Sequence, residues 1–158
     1  MLASRWRASG IATIQSGSRI DIITGRDNAL NGQRNQRVNL VSDDVYAHPR
    51  TLTNYFNSAA FAQPDPGTFG NLTRNALTGP KYWTVDLALS RELGLVSMHT
   101  VQLRLEAFNL FNTFNCGIPG TELTAGGWQA NFNAGTFGRI TTQAGLPRII
   151  QLGVKYAF

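Results

Sequence analysis

The sequence predicts an all-β chain: an antiparallel sheet of about four long strands joined by long loops. Three observations carry that expectation. Apolar and polar residues alternate with a period of two in several segments, whereas windows with helical spacing are rare and broken by Gly, Asn, Thr and Pro. The alternating segments hold about 9 to 11 residues, the length of a tilted strand crossing a bilayer, while soluble strands favour about 5–6. The connections alternate long, short and long, at 16–82, 92–98 and 109–147, the asymmetry of outer-membrane barrels with short periplasmic turns and long outer loops.

The first strand is expected at 5–15, with Trp6, Ala8, Gly10, Ala12 and Ile14 against Arg7, Ser9 and Thr13, and with Ile11 out of pattern. In the loop that follows, Ile20-Asp-Ile-Ile-Thr24 is expected to prolong that strand, and 52–61 to form a short helix. The second strand, 83–91, sets Trp83, Val85, Leu87 and Leu89 against Thr84, Asp86, Ala88 and Ser90. The third, 99–108, sets Val101, Leu103, Leu105 and Ala107 against Thr100, Gln102, Arg104 and Glu106. The fourth, 148–158, ends on the ladder Ile150, Leu152, Val154, Tyr156 and Phe158, opposed by Gln151, Gly153, Lys155 and Ala157. Strands that follow one another in sequence pair as neighbours, so the expected sheet order is the chain order, with one uncovered apolar face. For the hairpin between the middle strands, parity restricts the register to those that keep the apolar faces together. Electrostatics favours Asp86 opposite Arg104, with a tight turn at Gly94-Leu95-Val96. Asp86 opposite Gln102 carries no evident cost, and Asp86 opposite Glu106 is an unfavourable like-charge pair.

If Phe158 lies on the periplasmic side, both long loops fall outside. Trp6, Tyr156 and Phe158 then occupy the periplasmic rim, and Trp83 and Phe111 the outer rim, all with the parity of the apolar face, as an aromatic girdle requires. Asp86, Gln102, Arg104, Glu106, Gln151 and Lys155 face the other way, toward a polar lumen. The alternative is a soluble all-β surface binding or adhesion module in which the same apolar face meets a second sheet.

Composition narrows the choice. Only 15% of the 158 residues are charged and 42% are hydrophobic, a balance that fits neither a disordered chain nor a charged helical bundle. The net charge of +5 comes from scattered basic residues without stripe or recognition module, so nucleic-acid binding is not expected. The single cysteine, Cys116, cannot form an internal disulfide, and His48 and His99 have no metal-ligand spacing. No stretch is apolar for the roughly 18 residues of a membrane helix. The opening Met1-Leu-Ala-Ser-Arg-Trp-Arg does not read as a signal peptide, so export is expected to depend on a parent protein.

Four stretches taken together have a recognisable order: Leu77-Thr-Gly-Pro-Lys-Tyr-Trp-Thr-Val-Asp-Leu-Ala-Leu-Ser-Arg91, Gln102-Leu-Arg-Leu-Glu-Ala-Phe-Asn-Leu-Phe-Asn112, Thr136-Phe-Gly-Arg-Ile-Thr141 and Pro147-Arg-Ile-Ile-Gln-Leu-Gly-Val-Lys-Tyr-Ala-Phe158. With Ala12-Thr-Ile-Gln-Ser-Gly17 leading into the first loop, they resemble the C-terminal barrel of TonB-dependent receptors, in particular the Oar-like branch. The resemblance implies a plugged outer-membrane barrel of roughly 22 strands, importing ligand with energy relayed by the TonB complex. The whole of 1–158 is then the C-terminal part of such a barrel, incomplete alone. Its implied partners are outer-membrane lipid, the barrel-assembly machinery, the remaining strands and plug of the parent and, through the parent only, the TonB system. The final ladder, Ile150 to Phe158, resembles the signal read by the assembly machinery, and loop residues such as Asn75 are expected to tolerate change.

No cofactor, metal or enzyme activity is expected. Gly79-Pro-Lys81 is not a phosphate-binding loop, and Asn109-Leu-Phe-Asn112 and Gly135-Thr-Phe-Gly138 read as strand ends and turns. Ser97 near His99 has no evident orienting acid, and His48 follows Asp43-Asp44 in a loop, so a hydrolytic site is not expected. Asn71-Leu-Thr73 fits a glycosylation tripeptide that carries little meaning in a bacterial envelope protein.

Overall fold

The computed structural model describes residues 5–95, 99–124 and 127–158. In chain order the strands are β1 (Trp6–Gln15), β2 (Arg19–Ile23), β3 (Asn39–Leu40), β4 (Phe61–Ala62), β5 (Leu77–Thr78), β6 (Tyr82–Gly94), β7 (Thr100–Phe108), β8 (Asn115–Cys116), β9 (Thr121–Thr124), β10 (Gly127–Asn131), β11 (Gln143–Ala144) and β12 (Ile149–Ala157). A single 3-10 turn, Ser58–Ala60, stands where a helix over 52–61 was expected. Asn57 caps it, but Tyr46 bridges Phe56 as a strand partner and holds the preceding residues extended. The chain divides into two compact units: residues through Gln15 with 82–115 and 145–158, and residues 16–81 with 116–144.

The first unit is an antiparallel sheet in the order β1-β6-β7-β12. Trp6 to Gln15 pair with Arg91 to Tyr82, and Ile149 to Ala157 pair with Phe108 to Thr100. Side chains alternate between faces at every residue, so the expected parity survives across all four strands. Gly10, Leu87, Ala107 and Ile150 share one row, and Ala8, Leu89, Leu105 and Leu152 the next. Leu152 is 82% exposed and Leu103 42%, and Val85 is half-buried, so the apolar face is uncovered at these positions.

The β6–β7 register is none of those expected. Arg104 meets Ser90 and Glu106 meets Ala88, leaving Asp86 beyond the last of these pairs. Asp86 and Arg104 both have other partners. The Asp86 carboxylate accepts the Asn109 N–H at 2.9 Å, and Arg104 donates to Glu106 of its own strand at 2.6 Å. As a result β6 runs on to Gly94, and the Leu95 N–H donates to the His99 carbonyl at 2.8 Å to close the turn. Val96 of the expected tight turn, and Ser97, lie outside the described residues.

The long connections, expected as turn-rich exposed loops, form the second unit around a core of their own. Its sheet has the order β5-β2-β10-β9, with β2 and β10 parallel. Residues 20–24 therefore do not prolong β1. Ile20 and Ile22 are fully buried with Val38, Phe56, Phe61, Leu72, Leu77 and Ala130. Phe56 sits edge-on to Tyr55 at 5.3 Å and lies 5.8 Å from the Phe137 ring. Gly17 is required at the neck of the first loop, because a Cβ there would meet the Gly79 carbonyl oxygen at 1.8 Å.

Truncating Phe56 to Ala should destabilise this second unit by about 3–5 kcal/mol, the usual cost of an emptied aromatic site. Limited proteolysis of the folded protein should then cut faster within 16–81 or 116–144 than in wild type. Unchanged cleavage there would argue against a packed loop core.

Candidate functional site

The surfaces that a sheet offers are its two faces and its two rims. On the apolar face, the end where β12 finishes carries Trp6 at 50% exposure, Tyr156 at 55% and Phe158 at 95%. Tyr156 stacks on His99 with ring centroids 5.7 Å apart, its hydroxyl lies 2.8 Å from His99 Nδ1, and the Phe158 ring is 6.0 Å away. At the other end Trp83 and Phe111 approach to 6.0 Å between centroids. Trp6, Tyr156 and Phe158 thus lie toward one end of the sheet and Trp83 and Phe111 toward the other, Phe111 from just beyond the end of β7.

Sequence reasoning missed two residues of this face, Leu93 and Arg91. Arg91 falls on it, directly opposite Trp6, with its guanidinium carbon over the Trp6 ring at 5.1 Å from the centroid. The signal was present: β6 continues past Ser90, and counting by twos from Trp83 arrives at Arg91.

Asp86, Gln102, Arg104, Glu106, Gln151 and Lys155 lie on the face opposite the apolar one. Lys155 pairs with Gln102, Gln151 with Glu106, and Gly153 with Arg104. Arg5 lies 3.4 Å from Glu92 toward the β12-finishing rim, an exposed pair of small energetic weight. Toward the other rim this face turns apolar: Ile11 opposes Asp86, and Ile149 opposes Phe108.

The Asn109-Leu-Phe-Asn112 turn and Asn115 stitch the outer strand ends together. The Asn109 amide donates to the carbonyls of Thr113 (3.1 Å) and Leu146 (3.0 Å), and its oxygen accepts the Thr113 N–H at 2.9 Å. Asn112 accepts the Arg148 N–H at 3.1 Å, and Asn115 both accepts from and donates to the Trp83 backbone, at 3.0 and 2.8 Å. Asn109 and Asn112 adopt φ of 50° and 52°, a left-handed conformation that Asn tolerates better than most residues. Three asparagines at a spacing of three thereby tie β6, β7 and β12.

In the second unit, the Asp27 carboxylate accepts the N–H groups of Asn31 and Gly32 and the amide of Gln36. Desolvation pushes its pKa up, but these hydrogen bonds outweigh it and hold the group below its ordinary value of 3.8. Burial pushes the Tyr55 phenol above 10.0, and the Arg50 guanidinium beside it acts in the opposite direction. Asn75 is not the free loop position expected: its φ is 56°, and its N–H donates to the buried Asp21 carboxylate. His48 makes an exposed pair with Asp44 at 3.0 Å. Among the described residues no group of three or more His, Cys, Asp or Glu side chains could hold a metal ion.

A protein-family model described as an outer membrane beta barrel domain matches residues 1–151. No curated protein and no solved structure matches the chain.

Replacing Asn109 by Ala removes three hydrogen bonds and leaves a Cβ in left-handed backbone. The folded sheet should lose about 2–4 kcal/mol, read as a lower urea midpoint. Asn109→Gly, which relieves the backbone alone, should lose less; equal losses would show that the backbone conformation contributes nothing. The pH response of the second unit follows from Asp27. Its folded pKa is depressed, so its contribution is present above the unfolded value and is lost as pH falls through the lower folded value. Asp27→Asn should therefore flatten the loss of stability of the second unit below roughly pH 4, measured by urea unfolding across that range.

Proposed function

The chain belongs to the outer membrane beta barrel domain family, and from that premise we propose that it supplies the last four strands of a TonB-dependent, Oar-like receptor of roughly 22 strands. Family membership places it in the outer membrane. The finer reading rests on the ordered motifs at 77–91, 102–112, 136–141 and 147–158. In it, the polar face looks into the lumen toward the plug, the two long loops stand outside as ligand-contacting surface, and the TonB complex acts only through the parent. The role is one of transport and structure, without catalysis.

The observation that carries the reading is the uncovered apolar face bounded by aromatic rims. Leu93 shares the row of Val101 and Tyr156, so the span from Trp83 to Leu93 along β6 measures the distance between rims. At roughly 3.3 Å per residue that is about 33 Å, and at a barrel tilt of about 40° it is about 25 Å of height, the height of the lipid-facing band of outer-membrane barrels. A soluble adhesion module would bury this face; Leu152, Val154 and Ile150 are instead among the most exposed apolar residues of the chain.

The test is barrel assembly. β1 and β12 are the edges of the sheet, and an unpaired edge in hydrocarbon costs several kcal/mol per backbone group, so the last strand must be delivered correctly for closure. Deleting Phe158 from the full-length protein should lower the amount of heat-modifiable folded barrel in purified outer membranes. Substituting the exposed loop residue Arg34 by Ala should leave it at wild-type level. Equal amounts in all three proteins would remove the assembly role of the terminal aromatic.

A further inference from the structure

We propose that Asn31-Gly32 is a self-modifying site, at which Asp27 and Gln36 promote closure of the Asn31 side chain onto the Gly32 nitrogen and its conversion to aspartate and isoaspartate. The site lies within the second unit and is independent of the barrel reading. An asparagine followed by glycine already holds the reacting atoms in one chain, where closing a five-membered ring needs no second molecule. What the fold adds is a polar group at each atom that changes charge.

The nucleophile is the Gly32 nitrogen, whose N–H donates to Asp27 Oδ2 at 2.7 Å. That bond lies in the plane of the peptide and leaves the face of the nitrogen open to attack a carbonyl carbon, while placing a carboxylate where the proton must go. The electrophile is Asn31 Cγ. Its oxygen, Oδ1, accepts the Gln33 N–H at 3.1 Å and the Gln36 amide at 2.8 Å, two donors aimed at the atom that gains negative charge when the carbon becomes tetrahedral. Gln36 is buried, and its orientation is fixed because its own oxygen accepts the Ala29 N–H at 3.1 Å. Its second amide hydrogen reaches Asp27 Oδ1 at 3.1 Å, so base and oxyanion donors form one network. Gly32 adopts a φ of +82° and has open space where a side chain would stand, so nothing crowds the attacking nitrogen.

The reaction needs only water as co-reactant. The Gly32 nitrogen bonds to Asn31 Cγ as its proton passes to Asp27. The tetrahedral carbon then collapses: Cγ–Nδ2 breaks, Nδ2 takes a proton through solvent in exchange for the one held by Asp27, and ammonia leaves an exposed residue. The product is a succinimide. Water adds to either of its carbonyls, restoring the chain as aspartate when the Cγ–N bond breaks and giving isoaspartate when the backbone C–N bond breaks. No oxidation or reduction occurs. Both products place a second carboxylate beside Asp27, and isoaspartate also lengthens the main chain by one carbon, which releases the N–H groups that Asp27 holds. The exposed surface of the second unit thereby changes charge and shape with time.

The experiment incubates the full chain, folded in detergent, in oxygen-18 water and follows residues 27–34, which trypsin releases by cutting after Arg26 and Arg34. Fragmentation mass spectrometry of that peptide counts succinimide and labelled acid at residue 31. Asn28, in the same peptide and donating to the Pro64 carbonyl at 2.7 Å, serves as the internal reference. Folded wild type should convert Asn31 about tenfold faster than the same chain unfolded in urea, and Asp27→Asn should be slower by a similar factor, the weight of a charge-assisted contact. The pH profile separates a base from a mere support of the loop. Desolvation raises the Asp27 pKa, but its hydrogen bonds hold it below 3.8, so it is ionised from about pH 5 to pH 8 and the folded rate should be flat there. The unfolded chain should instead rise about tenfold per pH unit, as catalysis by hydroxide requires. A folded Asp27→Asn chain that reacts at the wild-type rate would overturn the site, as would folded wild type reacting no faster than the unfolded chain. If Asp27→Asn does not fold, the profile of wild type decides, and a hydroxide dependence in the folded chain overturns the proposal.

Discussion

Backbone hydrogen bonding in a solvent that offers none is the constraint on which the sheet depends. Each N–H and C=O of a lipid-embedded strand needs a partner on a neighbouring strand, and β6 and β7 meet that demand along both edges, through β1 and β7 and through β6 and β12. β1 and β12 meet it along one edge each, and the barrel reading supplies their missing neighbours from the rest of a closed wall. The same requirement accounts for strand length: β6 runs for 13 residues and β1 for 10, long for soluble strands and suited to a tilted crossing.

Pairing alone does not fix register, and here two different kinds of force divide the work. Parity is set by the apolar face, since a slip of one residue would turn Leu103, Leu105, Leu152 and Val154 into the polar side. Within a given parity, slips of one pair of residues at a time cost little on the faces, and the choice is made at the strand ends. There Asp86, Asn109, Asn112 and Asn115 convert side chains into additional backbone partners. Leu110 donates to the Val85 carbonyl at 2.8 Å and carries the ladder past the named strand. These bonds are directional and anchored at particular atoms, whereas an exposed charge pair across a strand gains little from one position over another. That difference explains why Arg104 pairs with Ser90 instead of Asp86 while the parity of the apolar face is kept.

What could be read in the sequence follows the same division. Period-two alternation is local, so β1, β6, β7 and β12 were legible to within a few residues, together with their order and the face of Trp6, Trp83, Asp86 and Lys155. The core of the second unit is assembled from short pieces far apart in the chain, such as Ile20, Val38, Phe56, Leu72 and Ala130. No window of the sequence contains enough of them to show a period, and the intervening Asn, Gly and Pro read as open loop. The parallel pairing of β2 with β10 joins two different long connections, and nothing in either one alone announces it. Arg91 is legible by counting in twos from Trp83, but it lies at the edge of the predicted strand, beyond the last apolar residue of the ladder.

The folded loop unit also bears on how the sheet closes. Bringing together the ends of a flexible connection costs entropy that rises slowly with its length, and β1–β6 and β7–β12 each enclose a long one. In the first loop, the Gly79 N–H donates to the Ser18 carbonyl at 2.9 Å; in the second, Gly117 donates to Thr142 at 2.8 Å and Gly120 to Arg139 at 2.7 Å. Each loop is therefore pinned at its own neck, and the buried residues beyond the necks supply the apolar burial that offsets the ordering of the chain. The β6–β7 connection, closed by the bond from Leu95 to His99, is the short one of the three that join the strands of the sheet, and its closure costs the least entropy.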